Sequence, residues 1–191
     1  MAGRREAGAG VAQDGAAGGG KVRLFFALWP DSKTRAALAA WQKKLARACG
    51  GRVMRPWTLH VTLAFLGATP EDRLDAVKEA AAGTRGGACE MIIDQAAFWP
   101  HNRIVWVGTD TPPPALTALE SGLRSRLAAA GIAFDAKPFV AHVTLLRNAR
   151  PPRGELPADS VPWAAQDFVL VESQPSPEGS RYEIIARFPL R

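Results

Sequence analysis

The segment Thr58-Leu59-His60-Val61-Thr62-Leu63-Ala64-Phe65-Leu66 alternates between two kinds of side chain along its length. Because successive side chains of a β-strand point to opposite faces, this alternation predicts a strand with two different surfaces. One surface is entirely apolar and is expected to lie on a hydrophobic core: Leu59, Val61, Leu63 and Phe65. On the other surface, His60 and Thr62 are expected to face a groove or solvent together, with Ala64 and Leu66 beyond them.

Four residues of this segment recur later in the chain. His60-Val61-Thr62-Leu63 is repeated as His142-Val143-Thr144-Leu145, again within a strand-like segment. The chain contains 3 histidines, and two of them begin these two copies. The repeat predicts one active site built from two matching halves, each of which supplies one imidazole and one hydroxyl.

Helices and further strands are predicted around the two copies. Helices are predicted over 32–48, with Asp31 as N-cap, over 69–82, and after Pro112–Pro114, where leucines recur at helical spacing. Further strands are predicted over 22–29, 91–98, 103–108, 166–172 and 182–188. A proline-rich loop is expected between the second copy and the last two strands. Residues 1–20 are mostly Gly and Ala, and a disordered tail is expected there.

The composition is that of an ordinary globular protein of 191 residues, with 47% hydrophobic and 22% charged residues. No apolar run is long enough to cross a bilayer, so no membrane association is expected. The formal net charge is +6, which favours an anionic partner such as nucleic acid. Cys49 and Cys89 are expected to be buried fillers in a reducing cytoplasm, since two cysteines cannot form a dense disulfide framework.

Two histidines can serve as acid and base in one displacement at phosphorus. An imidazole has a free pKa of roughly 6.5, so both protonation states are accessible near neutral pH. One histidine can activate water while the other protonates the departing oxygen. Each threonine lies two residues after its histidine, on the same strand face, and its hydroxyl can donate a hydrogen bond to a non-bridging phosphate oxygen.

Several other residues have two interpretations from the sequence. Arg147 could reach a phosphate, or it could be a solvated charge at a strand end. Phe25, Phe26 and Trp57 could stack on a base, but core packing is the simpler expectation. His101 lies in a predicted turn and is expected at the surface. A metal site using Asp94 is not excluded by the pattern, although nothing points to it.

The chain resembles the two-histidine (2H) phosphoesterase superfamily, and within it the RNA 2′,3′-cyclic phosphodiesterases, also known as 2′-5′ RNA ligases. The resemblance covers roughly residues 22–190. Four segments carry it: Arg23-Leu24-Phe25-Phe26-Ala27, 59–67, 138–147, and 168–173 with Tyr182-Glu183-Ile184. It implies an α+β fold in which residues 21–191 form one bilobal domain. Two antiparallel sheets would line a central cleft with pseudo-twofold symmetry, and helices would cover the outside.

The resemblance also implies the reaction and the roles of its residues. The expected reaction is metal-free hydrolysis of an RNA 2′,3′-cyclic phosphate end to a 2′-phosphate, without a cofactor, by a cytoplasmic monomer. His60 would be the proton donor and His142 the proton acceptor. Thr62 and Thr144 would hold phosphate oxygens, and Arg147 matches a family arginine near the phosphate. Ala141 departs from the family pattern, which commonly has proline before the second histidine.

Three alternatives remain open from the sequence. The substrate could instead be a small cyclic nucleotide or an ADP-ribose cyclic phosphate. The reaction could be ligation of 2′-5′ RNA junctions. The chain could also be a non-catalytic RNA-binding module that holds phosphate in the same cleft.

Overall fold

A computed structural model of the chain describes residues 20–177 and 179–190. The predicted tail at residues 1–20 lies outside these ranges except for Gly20. The helices in the described ranges are α1 (Ser32–Cys49), α2 (Leu74–Ala82) and α3 (Pro114–Ala129). The strands are β1 (Lys21–Leu28), β2 (Arg52–Val53), β3 (Val61–Pro70), β4 (Cys89–Ile93), β5 (Gln95–Trp99), β6 (Ile104–Gly108), β7 (His142–Arg147), β8 (Val161–Ala165), β9 (Asp167–Gln174) and β10 (Arg181–Pro189).

The strands pair only in antiparallel fashion within the described ranges. The larger sheet has the order β10-β9-β1-β3-β7-β6-β5, with β2 paired to β7, and β4 pairs separately with β8. The two motif strands, β3 and β7, are neighbours at the centre of this order, and Val61 opposite Val143 is their one paired position. The predicted α+β fold with two antiparallel sheets is confirmed. Within the larger sheet, the strands on either side of β3 and β7 are connected through this pair.

Helices α1 and α3 form where the sequence predicts them. The Asp31 side chain accepts a hydrogen bond of 2.7 Å from the Thr34 backbone N–H and so caps α1. In α3 one apolar stripe is completely buried, which places the helix against the sheet: Leu116, Leu119, Leu123 and Leu127. No helix in the described ranges has the length and hydropathy needed to span a membrane.

Three predicted element boundaries are wrong, in each case because strand pairing overrides the local pattern. The strand predicted over 91–98 is two strands, β4 and β5, which belong to different sheets. Strand β3 continues past Gly67 to Pro70, where it pairs with Lys21, so the helix that follows begins at Leu74. Strand β8 lies within the predicted proline-rich loop and pairs only with β4.

Candidate active site

The two repeated motifs meet at the centre of the sheet. Val61 and Val143 are the second residues of the two copies, and they are paired directly across antiparallel strands. An antiparallel pair of equivalent residues has a local twofold axis between its strands, so the copies are related as two halves of one site. A central cleft of about 360 Å³ is lined by all five predicted site residues: His60, Thr62, His142, Thr144 and Arg147.

Each imidazole is anchored in the same way by its own backbone. The Nδ1 atom of His60 lies 2.7 Å from the Thr58 carbonyl oxygen, and that of His142 lies 2.8 Å from the Val140 carbonyl oxygen. A carbonyl oxygen only accepts, so Nδ1–H must be the donor in both rings. The neutral ring is therefore held in the tautomer that leaves the Nε2 lone pair available for proton transfer.

Three aromatic rings pack against the imidazole of His60. Trp29 stacks parallel to its ring, with centroids 5.3 Å apart and an interplanar angle of 2°. Phe25 lies 4.9 Å away at 32°, and Tyr182 makes an edge contact at 5.5 Å. This packing leaves the ring little freedom to rotate, so the position of Nε2 is well defined.

His142 is surrounded by aromatic rings as well, but edge-on. The Trp99 ring lies 4.7 Å away at 66°, and the Trp106 ring lies 6.0 Å away at 73°. Neither Trp99 nor Trp106 was singled out from the sequence. Trp106 lies within the strand predicted over 103–108, and Trp99 follows the one predicted over 91–98, positions that are equally typical of core packing.

A β-bulge lies at the same position of each motif. On β3, Phe26 pairs with Ala64 and Ala27 pairs with Thr62, so Leu63 is an extra residue. On β7, Val105 pairs with Leu146 and Trp106 pairs with Thr144, so Leu145 is extra. The bulged residue is in both cases the leucine of His-x-Thr-Leu. A bulge changes the facing of the side chains that directly follow it, and on β3 this reversal holds up to a second register shift at Leu66.

The bulges correct the face assignments made from strict alternation. Ala64 is buried, whereas Phe65 is 37% exposed and lines the cleft, so the prediction that Phe65 faces the core is wrong. Arg147 stands five residues after His142, as Phe65 does after His60. Strict alternation places Arg147 on the face opposite His142, but the bulge returns it to the cleft.

Gln42 fixes the backbone around the second bulge. Its side chain is 2% exposed, and its Nε2 donates to the carbonyl oxygens of Leu145 (2.8 Å) and Met54 (2.9 Å). The Met54 backbone N–H also donates to the Leu145 carbonyl oxygen, at 2.9 Å. Gln42 thus joins α1, the segment after β2 and the bulge. Sequence reasoning missed it because a polar residue on a helix is ordinarily solvated.

Burial lowers the pKa of both imidazoles. The pKa of His60 falls to about 4, mainly because desolvation disfavours its charged form, with smaller contributions from the charges of His142 and Arg147. Desolvation and the charge of Arg147 also lower the pKa of His142. The bonds to the carbonyl oxygens of Thr58 and Val140 oppose these shifts. Both rings are therefore neutral at pH 7.

Acid is expected to destabilise the protein through these two rings. A histidine in the unfolded chain titrates near 6.5, whereas His60 in the folded chain titrates at about 4. Between these values the unfolded state binds more protons, so the free energy of unfolding falls as the pH falls. We expect a loss of roughly 2–3 kcal/mol from His60 between pH 6.5 and 4.5. Urea denaturation at a series of pH values measures this loss, which should be smaller in the His60→Gln variant. An equal pH dependence in the two proteins would contradict the assignment.

The remaining predicted residues lie where they are expected, with one exception. His101 is exposed in the turn after β5, and Cys49 and Cys89 are free and fully buried. Phe25 and Phe26 are buried, but Trp57 is 60% exposed, so the expectation that it packs in the core is wrong. It lies in a short turn of 3-10 helix where the Arg55 guanidinium is 6.0 Å from its ring. Asp94 lines a different hollow from the histidines.

Comparisons with known proteins show the family to which the chain belongs. Residues 28–106 match the family model described as LigT like Phosphoesterase. The RNA 2′,3′-cyclic phosphodiesterase of Escherichia coli (strain K12) is 32% identical over 88% of this chain and 96% of its own length. The protein of that name from Thermus thermophilus is 30% identical over 89% of this chain and 91% of its own length.

Solved structures of this family have the same fold. Apo Escherichia coli LigT superposes with a TM-score of 0.81 at 31% identity, over 90% of this chain and 98% of that chain. Escherichia coli LigT complexed with 3′-AMP gives a TM-score of 0.80 at 32% identity, over 89% of this chain and 98% of that chain. The chain belongs to the LigT-like phosphoesterase family. Its relatives span both motifs and both halves of the cleft.

Proposed function

We propose that the chain hydrolyses the 2′,3′-cyclic phosphate at the end of an RNA to a 2′-phosphate. The observation that carries this proposal is the matched pair of imidazoles in one cleft, each anchored through Nδ1 with Nε2 available. In such a pair one imidazole can donate a proton and the other can accept one. In-line displacement at phosphorus requires both an acid and a base. The curated relatives that carry the name RNA 2′,3′-cyclic phosphodiesterase support the choice of substrate.

In the proposed mechanism the two histidines act on opposite sides of the phosphorus atom. The Nε2 atom of His142 takes a proton from water, whose oxygen bonds to phosphorus. The bond from phosphorus to the ribose 3′ oxygen breaks, and Nε2–H of His60 delivers a proton to that oxygen. The product has a 2′-phosphate and a 3′-hydroxyl. His142 ends protonated and His60 neutral, and proton exchange with solvent restores the starting state.

The other cleft residues act on the charge of the phosphate. The Thr62 and Thr144 hydroxyls lie two residues after the histidines, on the same faces, and donate to the non-bridging oxygens. Arg147 adds a positive charge that both imidazoles sense, since it contributes to lowering the pKa of each. When the anionic substrate occupies the cleft, its charge favours the charged form of an imidazole. In the proposed mechanism His60 takes up this proton on Nε2 as the substrate binds, and His142 stays neutral.

The test is incubation with an RNA oligonucleotide that ends in a 2′,3′-cyclic phosphate, in EDTA and ¹⁸O-water. We expect a 2′-phosphate by ³¹P NMR, with one labelled oxygen on phosphorus and none on ribose. Omitting EDTA should leave the rate unchanged, because the protons move between side chains without a metal. A 3′-phosphate product, a rate lost in EDTA and regained with added metal, or no turnover would each contradict the proposal. Adding an acceptor RNA with a 5′-hydroxyl tests ligation in the same assay.

We further propose that residues 21–191 act as one bilobal unit, as a monomer in the cytoplasm. Buried apolar residues from Leu24 to Leu190 belong to one core cluster that includes both motif strands. The two thiols are free and buried, which suits a reducing compartment. One cooperative unfolding transition and a monomer mass by light scattering are the expected results.

A further inference from the structure

A second hollow opens directly from the central cleft. It measures about 370 Å³ and is named here the arginine hollow, after Arg52, Arg55 and Arg147 in its lining. Five residues line both it and the cleft: Met54, Thr58, Arg147, Ser180 and Tyr182. A ligand held at the two histidines can therefore extend into the arginine hollow without leaving the surface.

Two of these arginines are placed in a way that costs stability. Arg52 on β2 pairs directly with Arg147 on β7. Like charges directly opposite each other on antiparallel strands repel, and the bulge at Leu145 turns Arg147 towards the cleft. Arg147 lies close enough to both histidines to lower their pKa values. The pair therefore forms a run of positive charge that leads outward from the reaction centre.

Arg52 reaches across the hollow towards the turn between β9 and β10. A Cβ atom added to Gly179 would lie 3.2 Å from Nη1 of Arg52, so the guanidinium lies over that glycine. Anion binding between Arg52 and Arg147 would relieve the repulsion between these two cations.

Another hollow, which shares Thr62, Phe65 and His142 with the cleft, differs in its charges. Its cations, Arg124 and Lys137, form ion pairs with Glu120 and Asp135. Its lining is otherwise mainly apolar. Of these two extensions of the cleft, the arginine hollow is the one whose chemistry fits a second phosphate.

We propose that the arginine hollow binds the internucleotide phosphate on the 5′ side of the terminal nucleotide, with Arg52 as the principal contact. This inference rests on the proposed function, because it places the cyclic phosphate at the histidines. A nucleoside 2′,3′-cyclic phosphate with a free 5′-hydroxyl lacks that second phosphate. The hollow therefore selects the end of an RNA chain over a small cyclic nucleotide.

The experiment compares two substrates in three proteins. The substrates are cytidine 2′,3′-cyclic phosphate with a 5′-hydroxyl and the dinucleotide that ends in the same group. The proteins are the wild type, Arg52→Gln and the control Arg153→Gln, which removes an exposed arginine that lines none of these cavities.

We expect Arg52→Gln to lower kcat/KM on the dinucleotide by roughly 5-fold, a modest loss because the side chain is exposed. Its kcat/KM on the mononucleotide should stay unchanged, as should both values in the control. The slope of log affinity for the dinucleotide against log salt should fall by roughly 0.7, the value for one phosphate contact on a single strand. The melting temperature of Arg52→Gln should equal or exceed that of the wild type, because a like-charge pair is removed.

Two outcomes would overturn the inference. Equal losses on both substrates would place Arg52 at the reaction centre or in the fold, and no loss on either would show that the hollow does not hold the phosphate. Binding of the two 2′-phosphate products, followed by NMR titration, separates this inference from the proposed function. One result is that no protein turns over substrate, but Arg52→Gln weakens binding of the dinucleotide product alone. This result would support the phosphate site in the hollow and contradict the proposed hydrolysis. If Arg52→Gln leaves binding of the dinucleotide product unchanged, the proposed phosphate site is contradicted, whether or not the protein hydrolyses its substrate.

Discussion

His60→Ala and His142→Ala are each expected to reduce turnover of an RNA 2′,3′-cyclic phosphate by roughly 10²–10⁴-fold, the usual contribution of a positioned acid or base. Each ring supplies a proton step that nothing else in the cleft supplies, because the threonine hydroxyls and Arg147 donate without exchanging protons near pH 7. The double variant should lose little more than the worse single variant, since the two groups act as a unit. Steady-state kinetics on the oligonucleotide measures these losses.

The third histidine provides a matched control for this experiment. His101 is exposed in the turn after β5, so His101→Ala should retain the wild-type rate. Circular dichroism of all variants should match the wild type, because the backbone around each motif is held by strand pairing. A rate within a few-fold of wild type in both His60→Ala and His142→Ala would contradict the two-histidine mechanism.

A sulfur substitution distinguishes the roles of the two histidines. In a cyclic phosphate whose 3′ bridging oxygen is replaced by sulfur, the leaving thiolate needs no proton. His60→Ala should therefore recover much of its rate on this substrate, whereas His142→Ala should not, since water must still be activated. Recovery in His142→Ala but not in His60→Ala would show that His142 is the acid and His60 the base.

Gly108→Ala is expected to impair both stability and turnover, although glycine to alanine is the smallest side-chain addition. Gly108 on β6 pairs directly with His142. A Cβ atom on this glycine would collide with the carbonyl oxygen of Ala141, which is backbone and cannot rotate away. Strand β7 must shift at its first residue, which carries the imidazole. We expect a loss of roughly 1–3 kcal/mol in stability from overpacking. A displacement of about 1 Å should lower kcat by roughly 10²-fold.

Gly122→Ala is the matched control for this substitution. Gly122 lies within α3, and an added Cβ would make only an ordinary contact, 3.8 Å from the Thr84 side chain. The same chemical change should there raise the free energy of unfolding by roughly 0.5–1 kcal/mol, since alanine favours the helix, and leave kcat unchanged. Urea denaturation and steady-state kinetics of both variants measure the contrast. Wild-type activity in Gly108→Ala would show that the approach of β6 to β7 does not position His142.

Much of the site follows from local patterns in the sequence. The period of two in the motif segments places His60 with Thr62, and His142 with Thr144, away from the apolar side chains. The helical spacing of four leucines predicts the buried stripe of α3. These properties depend only on a residue and its near neighbours along the chain, so one sequence is enough to predict them.

The tertiary structure decided the rest. Leu63 and Leu145 are bulged because of how their strands pair with β1 and β6, and a bulge cannot be inferred from one strand alone. These bulges bring Phe65 and Arg147 into the cleft. Strict alternation, which is correct for the residues before each bulge, places both side chains on the opposite face. Pairing also sets Arg52 opposite Arg147, although many residues separate them in the chain. The sequence by itself determined which side chains can do the chemistry, because strand periodicity is local. The register between distant strands determined which charges surround them.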